Sequence, residues 1–105
     1  KDYPRLGTIV GYNAIQSLAA GITKAGSTDT EALIKAFKGL NVNTPWGPIT
    51  YRAQDNQSTM GAYVGTTTYS KELQRGIMTN FYYADGKDFQ PTDAEVKKLR
   101  PASAQ

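Results

Sequence analysis

The sequence predicts an α/β fold with two long helices, about three strands and a short C-terminal helix. Apolar residues recur at helical spacing within the first 40 positions, whereas β-branched and aromatic residues dominate 60–69 and 77–83. Two capping signatures mark helix starts. The chain has 105 residues, 39% of them hydrophobic, which suffices for one modest core. We therefore expect one domain or a piece of one.

The first helix is predicted from 7 to 25, because Gly26 suits a left-handed C-cap. Its apolar residues predict an amphipathic helix with one apolar face: Ile15, Leu18, Ala19 and Ile22. Gly11 and Gly21 lie inside it, and each costs up to about 1 kcal/mol relative to alanine. These glycines indicate close packing against a neighbouring backbone.

The second helix is predicted to begin at Thr28, because Thr28 and Glu31 have the spacing of a capping box. Gly39, a residue that commonly ends helices, is the predicted stop of this helix. One face of this helix is apolar and consists of Leu33, Phe37 and Leu40. We expect two antiparallel helices joined by a short turn.

The rest of the chain predicts strands and a final helix. The turn-rich entry 44–48 contains two prolines and leads into a short strand at 48–52, followed by a polar loop. Strands are predicted at 60–69 and 77–83, with a solvated turn or a hinge-side loop at 71–75 between them. Thr92 and Glu95 form a second capping box, which predicts a short helix with Val96 and Leu99 facing inward. The tail 101–105 is expected to be mobile, because it has nothing to bury.

Catalysis is disfavoured by the composition. The chain has neither cysteine nor histidine, which removes thiolate nucleophiles, the commonest zinc ligands and the best proton carrier near neutral pH. Asp85, Asp88 and Asp93 lack the ligand spacing of an EF-hand and suit turn and capping roles. We therefore predict no enzymatic activity, no metal site and no cofactor.

The charge pattern argues against nucleic acid. Twelve basic residues are interleaved with nine acidic ones, which predicts a mixed solvated surface. Five aromatic residues could instead form a stacking platform, although cross-strand packing explains them too: Tyr63, Tyr69, Phe81, Tyr82 and Tyr83. The alternative function is therefore a free-standing small α/β domain that binds a protein or nucleic acid through tyrosine-rich strands.

No apolar run in the sequence approaches the roughly 20 residues that span a bilayer. The chain opens without a signal peptide and without methionine, which indicates a processed or excised product.

Several short motifs occur in a fixed order between Tyr3 and Arg100: GYNA at 11–14, LA at 18–19, KAGSTD at 24–29, TPWGP at 44–48, RAQDNQ at 52–57, YVG at 63–65 and EVKKLR at 95–100. Together they resemble the C-terminal part of a substrate-binding protein of the branched-chain amino acid ABC transporter type, a type I periplasmic binding protein. The sequence departs from that pattern at Asn56, where many relatives have histidine. Because asparagine does not titrate, no pH-linked role is expected there.

The resemblance implies a fragment of a two-lobed α/β fold. Residues 1–69 are expected to belong to the first lobe up to the last hinge crossing, and 70–100 to the second. The implied function is an extracytoplasmic receptor, periplasmic or anchored to the membrane of a Gram-positive cell. It would deliver an amino acid or a related small carboxylate or aromatic solute to the permease of an ABC importer.

The resemblance also implies site residues. Tyr3, Gly7 and Thr8 are expected to make peripheral ligand contacts, although Tyr3 and Thr8 could instead cap and shield the helix. The expected hinge-side residues are Arg52, Asp55, Gln57, Thr68 and Tyr69. The principal ligand-binding residues would lie outside this segment. Exposed edges of the strands at 60–69 and 77–83 further predict self-association.

Overall fold

The computed structural model describes Tyr3 and residues 5–100, and the predicted tail 101–105 lies outside them. Within the described residues the chain forms three α-helices, four strands and a 3₁₀ turn at Gly86–Asp88. These are α1 (Leu6–Ala25), α2 (Thr30–Phe37), β1 (Asn41–Thr44), β2 (Gly47–Thr50), β3 (Ala62–Ser70), β4 (Arg75–Ala84) and α3 (Asp93–Leu99). The α/β class is confirmed, but α2 has only eight residues and there is one strand more than predicted.

The four strands form two antiparallel hairpins. In the first, Val42 of β1 pairs with Ile49 of β2. Strand β1 was not predicted, because two of its four residues are asparagines, which strands disfavour. In the second hairpin, β3 pairs with β4 from Ala62 to Ser70, and a bulge interrupts the register between Val64 and Thr66.

The core of the chain is small. Leu40, Val42 and Ile49 are buried together, at the point where the first hairpin meets the helices. Several half-buried side chains pack against them: Ala20, Phe37, Tyr51 and Met60. The core therefore holds α1, α2 and the first hairpin together.

An aromatic cluster joins the two hairpins. The ring of Trp46, in the β1–β2 turn, meets the ring of Tyr63 edge-on, with 5.7 Å between centroids. Tyr63 in turn contacts Phe81 and Tyr83 of β4. The hydroxyl of Tyr83 accepts a 2.7 Å hydrogen bond from the backbone N–H of Gly61. Cross-strand packing thus accounts for part of the aromatic content of these strands.

The start of α2 differs from the prediction. The side chain of Asp29, not Thr28, caps the helix and accepts a 3.0 Å hydrogen bond from the N–H of Ala32. The predicted capping box is therefore wrong by one position, because both residues have capping side chains and Asp29 takes the extended N-cap conformation. The end of α1 is as predicted, since Gly26 has φ 63° and its N–H donates to the carbonyl of Ile22.

The side of α1 that packs within this chain is not the predicted apolar face. The residues that α1 buries are Asn13, Ser17 and Gly21, which repeat every four positions. Of the predicted apolar face, Ile15 is 69% exposed and Leu18 is 44% exposed. Within this chain, α1 therefore turns a side of small and polar residues toward α2 and β1. Its more apolar side is exposed.

Replacement by alanine is expected to change the stability of the chain in opposite directions at Gly11 and Gly21, two glycines of α1. A Cβ on Gly21 would lie 2.5 Å from the ring of Phe37, whereas a Cβ on Gly11 would meet nothing within 4 Å. We expect Gly11→Ala to stabilise the 105-residue chain by up to about 1 kcal/mol, through helix propensity alone. Gly21→Ala should destabilise it by about 1 to 2 kcal/mol, because overpacking outweighs that gain. Urea unfolding of both variants measures this, and equal shifts would contradict the close packing at Gly21.

The capping box of α3 is confirmed. The carboxylate of Glu95 accepts hydrogen bonds from the backbone N–H of Thr92 at 2.7 Å and from its hydroxyl at 2.8 Å. Thr92 Oγ1 in turn accepts from the N–H of Glu95. These bonds lower the pKa of Glu95 below its ordinary value of 4.5, the backbone donor contributing most.

The pKa of Glu95 can be tested by NMR titration of its carboxyl group. Because the folded-state pKa is lowered, the cap stabilises the chain above the ordinary value, and this contribution is lost as the pH falls through the lower folded-state pKa. Thr92→Ala should raise the pKa of Glu95 only part of the way, since the backbone donor remains. Thr92→Ser should leave it low. An unchanged pKa in Thr92→Ala would show that the hydroxyl does not act on Glu95.

Candidate functional site

Three of the predicted hinge-side residues lie in one tight loop. The N–H of Arg52 donates to the carbonyl of Gln57 at 2.9 Å, and the N–H of Asn56 donates to the carbonyl of Arg52 at 2.8 Å. Asp55 Oδ1 accepts from the N–H of Gln57 at 3.1 Å. Asn56 has φ 57°, a left-handed conformation that asparagine tolerates better than most residues. This loop therefore has a fixed shape.

Arg52 fastens this loop to the segment before α3. Its Nη1 donates to the carbonyl of Pro91 at 2.7 Å, while Nη2 lies 2.9 Å from Oδ2 of Asp55. The second contact is an ion pair without hydrogen-bond alignment, because that nitrogen has no bonded partner. The side chain of Asp55 is only 6% exposed. Gln54 adds a 3.0 Å hydrogen bond to the carbonyl of Asp93.

A cavity of about 310 Å³ opens between this loop and α3. Asp55 and Gln57 line it on one side, and Val96, Leu99 and Arg100 on the other. Its lining residues are half polar and half apolar, and Asp55 is already paired with Arg52. The loop thus serves first as a support for the C-terminal helix.

The other two hinge-side candidates lie at the far end of the second hairpin. Thr68 pairs with Ile77 and Tyr69 pairs with Gly76, close to the turn that joins β3 to β4. Tyr69 is 63% exposed. The five candidates therefore form two groups at opposite ends of β3, one near Pro91 and one near the hairpin turn.

Tyr3 lies against this same hairpin end. The guanidinium carbon of Arg75 is 3.3 Å from the centre of the Tyr3 ring, which is a cation–π contact. Arg75 pairs with Ser70, the residue after Tyr69. The structure thus brings the ligand candidate Tyr3 to the hairpin end that also carries the hinge candidate Tyr69. Arg75 was not predicted as a site residue, because 72 positions separate it from Tyr3.

Thr8 and Gly7 lie in the first turn of α1. The hydroxyl of Thr8 accepts a 3.4 Å hydrogen bond from the N–H of Arg5, which supports a capping role. Thr8 also lines an apolar cavity of about 220 Å³ together with Ile9, Tyr12 and Pro45. A Cβ on Gly7 would meet nothing within 4 Å, so this turn is open. No acidic side chain occupies the first turn, so no carboxylate within that turn offsets the positive end of the helix dipole.

Comparison with known proteins identifies the family. A family model described as "Periplasmic binding protein" matches residues 1–72. The chain belongs to the periplasmic binding protein family. The crystal structure of an ABC-type branched-chain amino acid transporter from Rhodopseudomonas palustris CGA009 is similar, with a TM-score of 0.68 and 26% sequence identity. The similarity covers 77% of this chain but 22% of that one, so this periplasmic binding protein chain spans under a quarter of that structure. No curated protein matches the 105-residue chain.

This periplasmic binding protein chain was also searched for membrane-spanning helices and for metal ligands. Among the described residues, no helix is both long and apolar enough to cross a membrane. In the same part of the chain, no cluster of three or more acidic residues could hold a metal ion. Asp85 instead caps the 3₁₀ turn through the N–H of Lys87 and pairs with its ammonium at 3.1 Å. These bonds lower the pKa of Asp85 and raise that of Lys87.

Proposed function

We propose that the chain is part of an extracytoplasmic solute-binding receptor that delivers an amino acid or a related small carboxylate or aromatic solute to an ABC importer. Membership of the periplasmic binding protein family carries this proposal. The similar structure, named as a branched-chain amino acid transporter, supports the proposed solute class. No chemical step on the solute is proposed.

The proposed receptor closes around its solute by a hinge. Residues 1–69 are assigned to the first lobe and 70–100 to the second, so the β3–β4 hairpin marks the passage between them. Tyr3, Gly7 and Thr8 would contact the solute from the edge of the cleft. A helix N-terminus with no acid in its first turn and the guanidinium of Arg75 against Tyr3 both favour a carboxylate at this corner.

The test is solute binding by the polypeptide encoded by the whole reading frame that contains these residues. Isothermal titration with a panel of amino acids and aromatic acids should find a bound solute. Tyr3→Ala and Thr8→Val should each weaken binding by about five- to tenfold, which corresponds to about 1 kcal/mol for a peripheral contact. Tyr82→Ala is the matched control, because Tyr82 is 61% exposed on the hairpin.

Two outcomes would count against this proposal. Unchanged affinity in Tyr3→Ala and Thr8→Val would show that these residues only shield and cap α1. Absence of any bound solute, together with salt-dependent binding of single-stranded nucleic acid, would favour the interaction-domain alternative.

We further propose that the 105-residue chain self-associates through its second hairpin. Strand β3 contains no charged residue, and β4 contains only Arg75, at its start. Charges and prolines are what usually protect strand edges from pairing with another chain. Sedimentation velocity should therefore detect dimers at high concentration, and Thr67→Lys should reduce them. A monomer at millimolar concentration would refute this.

A further inference from the structure

We propose that Asp85 is a latent site of isoaspartate formation, which the fold protects by keeping the 3₁₀ turn after it closed. Asp85 is the only aspartate or asparagine in the sequence that is followed by glycine. The amide nitrogen of a glycine has no side chain beside it, so it reaches a neighbouring carboxyl carbon more easily than other backbone nitrogens do. This modification concerns the chain itself and does not require the proposed solute-binding role.

The reaction consists of a ring closure and a ring opening. The amide nitrogen of Gly86 forms a bond to Cγ of the protonated Asp85 carboxyl group, loses its proton and expels one carboxyl oxygen as water, which gives a succinimide. Water then adds to one of the two ring carbonyls, and the C–N bond at that carbonyl breaks. Opening at Cγ restores aspartate. Opening at the main-chain carbonyl gives isoaspartate, whose backbone runs through Cβ and Cγ and is one methylene longer.

The position after Asp85 cannot hold a larger residue in this fold. A Cβ on Gly86 would lie 2.6 Å from the carbonyl oxygen of Met60 and 2.7 Å from that of Thr59. Contacts this short with backbone atoms would force the chain to move. Close packing of the 3₁₀ turn against the segment before β3 therefore requires glycine, and the reactive Asp–Gly pair comes with it.

The backbone of Asp85 holds the two reacting atoms apart. Ring closure needs Cβ and the next amide nitrogen to be eclipsed about the Cα–C bond, which for an L residue means a ψ of about −120°, outside the main allowed regions. In the structure, ψ of Asp85 is 127°. The carbonyl of Asp85 also accepts a 3.1 Å hydrogen bond from the N–H of Asp88, and this bond opposes the rotation.

The carboxylate of Asp85 is held as well. Its Oδ1 accepts a 3.0 Å hydrogen bond from the N–H of Lys87, and its Oδ2 lies 3.1 Å from the ammonium of the same lysine. The backbone bond first, and then the ammonium, lower the pKa of Asp85, so the protonated and more reactive carboxyl group is rarer. The side chain is 33% exposed, so water for the ring opening can reach it once the turn opens.

The extra methylene of isoaspartate would displace the segment that follows the turn. Gln90 ties this segment to the carbonyl of Ser58 through a 2.7 Å hydrogen bond. Arg52 holds the next residue, Pro91, by its carbonyl. Isoaspartate at position 85 should therefore loosen α3 and leave α1, α2 and the first hairpin in place.

The first experiment measures isoaspartate in the 105-residue chain by peptide mapping and mass spectrometry after incubation at neutral pH. One sample is unfolded in guanidinium chloride, and the folded sample contains sodium chloride at the same concentration. Isoaspartate at Asp85 should form at least about tenfold more slowly in the folded chain, which corresponds to an opening free energy of about 1.4 kcal/mol or more. Asp88 is the internal control, because it lies in the same turn but precedes Phe89 and should remain aspartate in both samples.

Three variants separate the contacts that protect Asp85. Lys87→Pro removes both the N–H and the ammonium, and in the folded chain it should form isoaspartate about tenfold faster than the wild type, as expected for the loss of a cap. Lys87→Met removes only the ammonium and should raise the rate about twofold. Asp85→Asn closes the same ring with loss of ammonia instead of water, so its deamidation reports the backbone geometry without the ion pair. That deamidation should also be at least about tenfold slower in the folded chain.

Equal rates in sodium chloride and in guanidinium chloride would overturn the protection, and absence of isoaspartate at Asp85 in the unfolded chain would overturn the site itself. Isoaspartate at Asp88 as fast as at Asp85 would also overturn it, because the glycine would then have no effect. An unchanged rate in folded Lys87→Pro would refute the role of the cap. Circular dichroism shows whether Lys87→Pro is folded, and if it is not, the wild type and Asp85→Asn decide.

Discussion

Replacing Ile49 with alanine is expected to lower the free energy of unfolding of the chain by about 3 kcal/mol. Ile49 is 3% exposed and is one of three buried residues that hold the first hairpin to the helices. The loss combines the transfer free energy of the deleted carbons with the cavity that they leave. Small domains have only about 5 to 15 kcal/mol of stability in total, so the variant should lose a large share of it and unfold at a clearly lower urea concentration.

Urea unfolding followed by circular dichroism measures this loss. Ile34→Ala is the matched control, because Ile34 is 44% exposed on α2 and its replacement removes the same atoms from a wet surface. That variant should shift the stability by less than about 1 kcal/mol. Equal midpoints for Ile49→Ala and Ile34→Ala would show that the core is not where the structure places it.

Replacing Arg52 with methionine is expected to cost about 3 kcal/mol. The change removes the hydrogen bond to the carbonyl of Pro91 and leaves the carboxylate of Asp55, 6% exposed, without its cation. Methionine keeps much of the apolar stem, so the loss reports the polar contacts rather than packing. The main consequence is release of α3, which should then exchange its amide hydrogens faster than β2.

The control for Arg52→Met is Lys87→Met. Lys87 also pairs with an aspartate, Asp85, but its side chain is 64% exposed and solvent screens the pair. Its loss should leave the unfolding midpoint unchanged. If both variants behave alike, Arg52 does not fasten the loop to the C-terminal segment.

Local features were predictable and long-range ones were not. The cap of α3 was found from sequence because Thr92 and Glu95 are three positions apart and act on each other. The cap of α2 was misplaced by one residue, because Thr28 and Asp29 compete for the same position. Strand β1 was missed because its two asparagines have a low preference for strands. Its pairing with β2, which stabilises it, is not visible in the preferences of single residues.

The candidate site depended still more on tertiary structure. The helical period of α1 was predicted, but which side is buried is set by α2 and β1. Within this chain Ile15 and Leu18 of the apolar face are exposed, while Asn13 and Ser17 are buried. The contact between Tyr3 and Arg75 joins the two ends of a long stretch of chain. The loop after β2 was predicted from its polar composition, whereas the hinge-side role of its residues was implied only by the family resemblance. The role of Arg52 in holding the segment before α3 came from the structure.

The single tryptophan of the chain makes one of these junctions visible in solution. Trp46 meets Tyr63 edge-on, so it sits where the two hairpins touch. Its emission spectrum and its energy transfer from Tyr63 both depend on that contact. No other tryptophan contributes to the signal. Fluorescence can therefore follow the docking of the second hairpin onto the first in real time, separately from the helical signal that reports α1 and α2.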